Sequence, residues 1–113
     1  MNSKIVALSK NEEFKKLLKK KKISNKYLTI FFGKLSNKNN KKLYISFVAK
    51  KKLGNAVNRN KIKRRLRNIM NEAVKEIPLN LYYSYLVIAK ITMLNNEYTI
   101  IKQTLFADFK TIK

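Results

Sequence analysis

All four arginines of this chain lie within a stretch of nine residues, namely Arg59, Arg64, Arg65 and Arg67. Lysine, in contrast, is spread from one end of the sequence to the other. A guanidinium group grips phosphate through two hydrogen bonds and stacks on bases, whereas an ammonium group is a hydrated point charge. The concentration of arginine therefore predicts a local surface that binds the phosphates of a nucleic acid.

Residues that could perform catalysis by themselves are few. The chain contains no Cys and no His, which excludes thiolate nucleophiles, imidazole acid–base catalysis and Cys/His zinc sites. Its six acids are Glu12, Glu13, Glu72, Glu76, Glu97 and Asp108. Glu12 and Glu13 suit the dipole of a helix start, and Glu72 and Glu76 share a helix face without a third acid beside them. We therefore expect no catalytic site and no metal site in the polypeptide.

The net charge predicts the same kind of partner. The 113 residues carry 27 Lys and Arg against 6 Asp and Glu, a formal net charge of +21. Such self-repulsion destabilises a free protein, so a neutralising polyanion is expected, with nucleic acid first and an acidic membrane surface second. Hydrophobic residues make up 45% of the chain, enough for the core of one domain over residues 1–113.

No segment resembles a signal for export or for membrane insertion. Met1 to Lys10 lacks the apolar stretch of a signal peptide, and no later stretch approaches the ~20 apolar residues that span a bilayer. We therefore expect a soluble cytoplasmic protein without a membrane partner.

The first half of the chain predicts one helix and two strands. A capping-box pattern that starts at Ser9, followed by apolar residues at helical intervals, predicts a helix over about residues 10–20. The β-branched and aromatic residues of segment 26–35 predict a strand, and segment 43–49 predicts a second one with apolar residues on both faces. The polar segment 36–42 between them is interpreted as an exposed hairpin loop.

The second half predicts a long helix, a strand and a final helix. Apolar residues at intervals of three and four predict the long helix over about residues 58–77. A strand follows over residues 82–89, and the final helix is expected to be capped by Asn95 or Asn96. Segment 53–57 leaves room for one more short strand.

The long helix has one apolar side and one basic side. On a helical wheel its outward residues are Asn60, Arg64, Arg67, Asn68 and Asn71, while Lys61 and Arg65 border the apolar stripe. Arg59 falls in the first turn, where free backbone N–H groups also receive phosphate. A merely solvated face is one alternative, and a basic amphipathic helix could instead lie on a membrane. Since Ile62, Leu66 and Met70 are needed for the core, the nucleic-acid interpretation is favoured.

The segment from Lys51 to Arg67, KKLGNAVNRNKIKRRLR, resembles the signature of the bacterial ribonuclease P protein family. That signature is a Lys-Lys pair, an apolar residue, Gly-Asn-Ala-Val, a variable residue, Arg-Asn-Arg, an apolar residue and Lys-Arg. The chain departs from it at Lys61, which stands where the family has the second arginine of Arg-Asn-Arg. Charge is kept there, but the two-pronged hydrogen bonding of arginine is lost. Length, charge and element order extend the resemblance over nearly the whole chain.

The resemblance implies an α+β sandwich with a central sheet and an uncommon left-handed crossover. With the elements above, this predicts a mostly antiparallel sheet of about four strands and three helices, in the order α-β-β-β-α-β-α. It also implies that the arginine-rich helix and the turn before it contact a catalytic RNA. The residues in the matching positions are Lys51, Lys52, Asn55, Arg59, Asn60, Lys61, Lys63, Arg64, Arg65 and Arg67.

The family also has a cleft that holds the single-stranded 5′ leader of precursor tRNA, where aromatic stacking tolerates any base. By the resemblance, Phe14, Leu18 and Phe32 match its stacking positions, and Lys90 matches its basic one. Leu18 stands where an aromatic residue is common. Without the resemblance, Phe14, Leu18 and Phe32 are interpreted as ordinary core.

The resemblance further implies a division of labour between RNA and protein. Ribonuclease P RNA hydrolyses the phosphodiester bond with bound Mg²⁺, while the protein grips the RNA and the leader and needs no further protein partner. The chain is then the subunit of an endoribonuclease whose catalysis resides in RNA. A ribosomal protein and a membrane-surface protein are the alternatives. Copurification with whole ribosomal subunits would identify the first, and competition between acidic liposomes and RNA would identify the second.

Overall fold

The computed structural model describes residues 4–9 and 11–112. These residues form a five-stranded sheet, three α-helices and two short 3-10 turns. The strands are β1 (Ile5–Val6), β2 (Lys21–Ser24), β3 (Leu28–Gly33), β4 (Leu43–Val48) and β5 (Ser84–Ala89). The helices are α1 (Glu12–Leu18), α2 (Ala56–Glu76) and α3 (Tyr98–Thr111), and the 3-10 turns are Lys51–Leu53 and Ile91–Leu94.

The strands lie side by side in the order β1-β4-β5-β3-β2. β3 is antiparallel to both of its neighbours, β2 and β5, whereas β4 is parallel to both β1 and β5. Parallel neighbours need a long connection, and α2 provides it between β4 and β5. The predicted α+β class and three helices are confirmed, with five strands instead of about four and with parallel pairs on one side of the sheet. The hand of the crossover stays a prediction from the resemblance.

The prediction that segment 36–42 is a hairpin loop is wrong. β5 lies between β3 and β4, so the two strands on either side of that segment do not pair. The tight hairpin joins β2 to β3, where Asn25 Oδ1 accepts hydrogen bonds from the N–H groups of Tyr27 (2.7 Å) and Leu28 (3.0 Å). Strand neighbours are decided by what the whole sheet buries, and a local pattern carries no information on that.

Strand β2 escapes prediction because it begins inside a run of lysines. Lysine is common on edge strands, where its charge discourages pairing with another chain, and β2 is an edge strand here. The additional strand considered for segment 53–57 does not form. Lys51–Leu53 is a 3-10 turn, and α2 begins at Ala56.

Helices α2 and α3 cover one face of the sheet and enclose the main core. The buried stripe of α2 consists of Ile62, Leu66, Ile69, Met70 and Ala73, and that of α3 consists of Ile101, Leu105 and Phe109. The ring of Phe109 meets Tyr85 of β5 edge-on, with ring centroids 5.2 Å apart. The predicted long helix is confirmed, and it ends where Ile77, the residue before Pro78, becomes extended.

Helix α1 covers part of the opposite face, over a second and smaller apolar cluster. The members of this cluster are Leu8, Phe14, Leu17, Phe31, Leu35, Tyr44, Val48, Leu86 and Ile88. Leu43 and Ile45 of β4 face the main core, while Tyr44 and Val48 of the same strand face the second cluster. Both faces of β4 are therefore packed, as predicted.

The start of α1 differs from the predicted capping box. Lys10 lies outside the described residues, and the helix begins after Asn11, whose side chain makes no capping bond. The N–H of Ser9 donates to Glu13 Oε1 (2.7 Å), so Glu13 rather than Glu12 reaches back over the helix start.

The predicted cap of α3 is wrong. The helix begins after Glu97, and its first turn has no side-chain cap. The side-chain amide of Asn96 donates instead to the carbonyl of Thr92 (2.6 Å), closing the 3-10 turn that precedes the helix.

Candidate nucleic-acid interface

The start of α2 is built by the glycine and asparagine of the recognised motif. Gly54 has φ +129°, a conformation that residues with a Cβ rarely adopt, and it turns the chain from the 3-10 turn into the helix. Asn55 then caps the helix, because its Oδ1 accepts a hydrogen bond from the N–H of Asn58 (2.9 Å). Asn55, predicted to contact RNA, thus uses its side-chain oxygen to position the helix.

The polar face of α2 is open to solvent along most of its length. Its exposed residues are Asn60, Lys61, Arg64, Arg67, Asn68 and Asn71, while Arg59, Lys63 and Arg65 are half-buried. Ile62 and Leu66 on the other side are fully buried, which fixes the rotation of the helix about its axis. The predicted separation into a basic face and an apolar stripe is confirmed.

Arg65 differs from the other arginines because its guanidinium bonds within the protein. Its Nη1 donates to the carbonyl oxygens of Met93 (3.1 Å) and Asn96 (3.2 Å), both in or beside the second 3-10 turn. These bonds tie α2 to the segment that leads into α3. Among the predicted RNA contacts, Arg65 is therefore partly committed to the fold, whereas Arg64 and Arg67 are free to reach outward.

Arg59 sits half-buried in the first turn of α2. Its Nε is shielded from solvent and has no hydrogen-bond partner among the described residues. A buried donor without a partner is destabilising. The guanidinium group of Arg59 is thus partly enclosed by the protein.

A groove of about 620 Å³ runs between α2 and the outer edge of β4. Its α2 wall consists of Lys63, Arg67 and Asn71, which are spaced four residues apart and so line up along the helix. The facing wall includes Phe14 of α1. Since β1 pairs with β4 only at Leu43 and Tyr44, the rest of that edge borders the groove. The groove therefore links the basic helix face to the side of the sheet on which α1 lies.

The proposed leader cleft requires one correction, because Phe14 and Phe32 lie on opposite faces of the sheet. Phe32 belongs to the main core with only 9% of its surface exposed, and its ring lies 5.5 Å from that of Tyr83. Phe31, the preceding residue, faces the second cluster together with Phe14. Side chains alternate along a strand, so a shift of one residue exchanges the faces. The aromatic partner of Phe14 is Phe31.

The strand register shows what forms the floor beside these two aromatics. Thr29 pairs with Ile88, and Ile88 pairs with Val48, so these three residues form a row across β3, β5 and β4. The next row contains Phe31 and Leu86. Leu18, one turn after Phe14 on α1, leaves 47% of its surface exposed, as a residue at the rim of a cleft would.

Lys90 closes the end of this floor. A cavity of about 480 Å³ is lined there by Thr29, Lys50, Lys52, Leu53, Ile88, Ala89, Lys90 and Ile91. Lys90 Nζ donates to Ser24 Oγ (2.8 Å) and to the carbonyl of Asn25 (2.6 Å). Those bonds fix its position without neutralising its charge. The predicted basic position of the cleft is therefore brought next to Lys50, which the motif comparison did not single out, and Lys52.

The acids Glu72 and Glu76 are directed at α3 rather than at each other. Lys102 Nζ lies 2.9 Å from Glu72 Oε1 and 3.9 Å from Glu76 Oε2, and the hydroxyl of Tyr98 donates to Glu72. The hydrogen bonds from Lys102 and Tyr98 lower the pKa of Glu72. Burial, reinforced by Glu72, raises the pKa of Tyr98 to about 12. Among the described residues, no three acids come close enough to hold a metal ion.

Comparison with known proteins agrees with the motif. The sequence model of the family described as Ribonuclease P matches residues 3–113. The ribonuclease P protein component of Carboxydothermus hydrogenoformans is 32% identical over 110 residues, covering 94% of this chain and 90% of that protein. The corresponding protein of Bacillus pumilus is 38% identical over 84 residues, covering 74% and 67% of the two chains.

Solved structures show the same fold. The RNase P protein of Staphylococcus aureus superposes with a TM-score of 0.78 at 26% identity, covering 95% of this chain and 94% of that one. The RNase P protein of Thermotoga maritima gives a TM-score of 0.79 at 23% identity, covering 96% and 98%, and supports the fold alone.

Proposed function

Because this chain belongs to the bacterial ribonuclease P protein family, we propose that its α2 face binds the catalytic RNA and that its cleft binds the 5′ leader of precursor tRNA. Membership makes the chain the protein subunit of an endoribonuclease that is a ribonucleoprotein and processes tRNA. The two surfaces assigned to the two RNAs are the proposal.

One observation carries the assignment of α2. A fully buried apolar stripe fixes the orientation of the helix. The opposite, solvent-exposed face contains Arg64 and Arg67. A helix of 21 residues is roughly 30 Å long and can follow several successive phosphates of a folded RNA. The backbone positions of the two exposed arginines are therefore fixed relative to each other, while their guanidinium groups can reach outward to phosphate.

The chemistry of the cleft fits a single strand of variable sequence. Phe14 and Phe31 offer ring surfaces on which any base can stack, while Lys52 and Lys90 supply charge for the phosphates. The groove lined by Lys63 and Arg67 leads from this region to α2. A leader in the cleft and a catalytic RNA on α2 would therefore be neighbours, with the protein lowering the repulsion between them.

The Mg²⁺ expected for phosphodiester hydrolysis is assigned to the RNA subunit. Among the described residues no three acids cluster, and Glu72 and Glu13 are already paired with Lys102 and Lys38. The role of the polypeptide is to bind and to orient.

We also propose that the protein is located in the cytoplasm and that it requires no further protein partner. A membrane role finds no support in the helices: within residues 4–9 and 11–112, none is both long and apolar enough to cross a bilayer. The apolar stripe of α2 is also used up by the main core, so it is not available to lie on lipid.

A reconstituted cleavage assay tests the proposal directly. The cognate catalytic RNA, precursor tRNA and Mg²⁺ are combined with and without this protein, and release of the leader is followed. We expect the protein to increase cleavage at low, cell-like Mg²⁺ by strengthening substrate binding. Cleavage that is unchanged by the protein across a range of Mg²⁺ concentrations would overturn it.

A further inference from the structure

Helix α1 borders a second charged surface on the side away from the cleft. A concavity of about 430 Å³ is lined by Lys16, Lys19, Lys20 and Lys34, together with Leu35 and Ser36. We call these four lysines the lysine patch. Lys16 lies two residues from both Phe14 and Leu18, so it projects from the opposite side of α1.

The position of Lys20 in the patch is set by close packing. A Cβ at Gly33 would lie 2.1 Å from Lys20 Cδ and 3.1 Å from its Cβ, so the lysine stem crosses directly over this glycine. Gly33 ends β3, and Lys34 follows it at once. Two of the four ammonium groups thus belong to chain segments held together at the end of the sheet.

No lysine of the patch forms a close ion pair in the part of the chain that the structure describes, although Lys16 shares a neighbouring concavity with Glu12 and Glu13. The ion pairs there join Lys38 to Glu13 and Lys102 to Glu72 and Glu76, and no patch lysine takes part in one. Like charges around one concavity repel each other, so a bound anion would stabilise the arrangement. Protection of the edge strand accounts for lysines on β2, but it does not account for Lys16 on α1, for Lys19 directly after that helix, or for Lys34 after β3.

The patch lies away from the surface assigned to the catalytic RNA. α1 and α2 pack on opposite faces of the sheet. The patch and the start of α2 also lie near opposite ends of β5. Gly33, beside the patch, pairs with Ser84, the first residue of β5, whereas Val48, close to the start of α2, pairs with Ile88 near its last residue. The cleft, in contrast, shares α1 with the patch, and a helix is only about 10–12 Å across.

We propose that the lysine patch binds the phosphates of leader nucleotides upstream of those held in the cleft. This inference rests on the proposed function, since it requires the leader to occupy the cleft. The strand leaves the Phe14 side of α1, crosses the helix and meets the four ammonium groups. Lysine without arginine recognises the backbone and ignores the base, which suits leaders of unrelated sequence.

Binding of precursors that differ only in leader length tests the inference. The holoenzyme is assembled from the cognate catalytic RNA and this protein, and its affinity is measured for leaders of about 4, 8 and 16 nucleotides, a range that covers known single-strand site sizes. The patch variant is Lys16→Gln, Lys19→Gln and Lys34→Gln. Its control is Lys41→Gln, Lys75→Gln and Lys110→Gln, three lysines outside the patch that are also exposed.

We expect the longest leader to bind about three- to tenfold more tightly than the shortest, as three exposed ion pairs would provide. The patch variant should lose this gain, and its log–log salt slope for the longest leader should fall by about 2, or ~0.7 per phosphate contact. The control variant should keep both the affinity gain with leader length and the salt slope of the wild type. Thermal unfolding of each variant shows that the fold is retained.

Different results would overturn the lysine-patch inference and the proposed function. If the wild type prefers the shortest leader over mature tRNA but gains nothing from added length, the lysine patch is not a leader site while the cleft assignment stands. A patch variant that loses affinity equally for mature tRNA, or a control that loses the gain as well, also overturns the inference. If even the shortest leader gives no preference over mature tRNA, the proposed function itself fails.

Discussion

Phe14 of α1 and Phe31 of β3 share one apolar cluster, on the face of the sheet opposite to the main core. Their neighbours in sequence do not share it: Phe32, one residue on, is buried under α2 and α3. Two consecutive phenylalanines of one strand therefore have different surroundings: Phe31 is partly exposed on the side of α1, and Phe32 is buried in the main core.

Alanine substitutions of Phe14, Phe31 and Phe32 should separate an effect on precursor binding from an effect on stability. Phe31→Ala and Phe14→Ala should each weaken precursor binding by about 1–3 kcal/mol, the contribution of one stacked base, with little effect on mature tRNA. Phe32→Ala should instead lower the free energy of unfolding by about 3–5 kcal/mol, because it empties part of the core. Affinities for both tRNAs and chemical denaturation measure the two effects. Equal losses for precursor and mature tRNA would remove the aromatic pair from the leader site.

Substitution of the adjacent arginines Arg64 and Arg65 should also separate an effect on RNA binding from an effect on stability. Arg64→Ala should weaken binding of the catalytic RNA by about 1.5–3 kcal/mol, the value of a charged hydrogen bond, without changing thermal unfolding. Arg65→Ala should reduce stability by about 1–3 kcal/mol, because the carbonyls of Met93 and Asn96 lose their donor. Filter binding and calorimetry on both variants decide the matter. An Arg64 variant with unchanged RNA affinity at moderate salt contradicts the assignment of this face.

Lys61 offers a gain-of-function test. It is exposed on α2, where the family motif has arginine. Lys61→Arg restores a planar fork at unchanged charge, so affinity for the cognate catalytic RNA should rise by up to ~1 kcal/mol. Lys75→Arg, an exposed position near the far end of the helix, is the control and should have no effect. If the two substitutions behave alike, Lys61 contributes only general charge.

Acid sensitivity should arise in part from the contact between α2 and α3. Lys102 and Tyr98 lower the pKa of Glu72 below its ordinary 4.5. A carboxylate with a lowered pKa stabilises the fold above its unfolded-state pKa, and this contribution is lost as pH falls through the folded-state pKa. The free energy of unfolding should therefore fall below about pH 4.5 more steeply in the wild type than in Glu72→Gln. Parallel curves for the two proteins would show that this contact does not contribute.

Helices were more accessible to prediction than strand pairing. The stripe containing Ile62 and Leu66 repeats within α2 itself, so local spacing identifies both the helix and its buried side. β2 and the insertion of β5 between β3 and β4 depend on partners far away in the chain. Side chains alternate along β3, and Leu28 and Ile30 face the main core. The same alternation places Phe31 on the opposite face, so the sequence did contain the signal for its position.

By itself, the sequence determined the charge, the missing catalytic side chains, the long amphipathic helix and the motif that marks the family, because each of these is written in residue types at short spacing. The tertiary structure alone decided which phenylalanine meets Phe14, that Arg65 bonds to backbone carbonyls across the molecule, and that Lys34 joins the three lysines of segment 16–20 beside α1. These features depend on contacts between residues distant in the chain. Such contacts follow from how the sheet and helices bury their apolar faces together, and no local pattern contains that information.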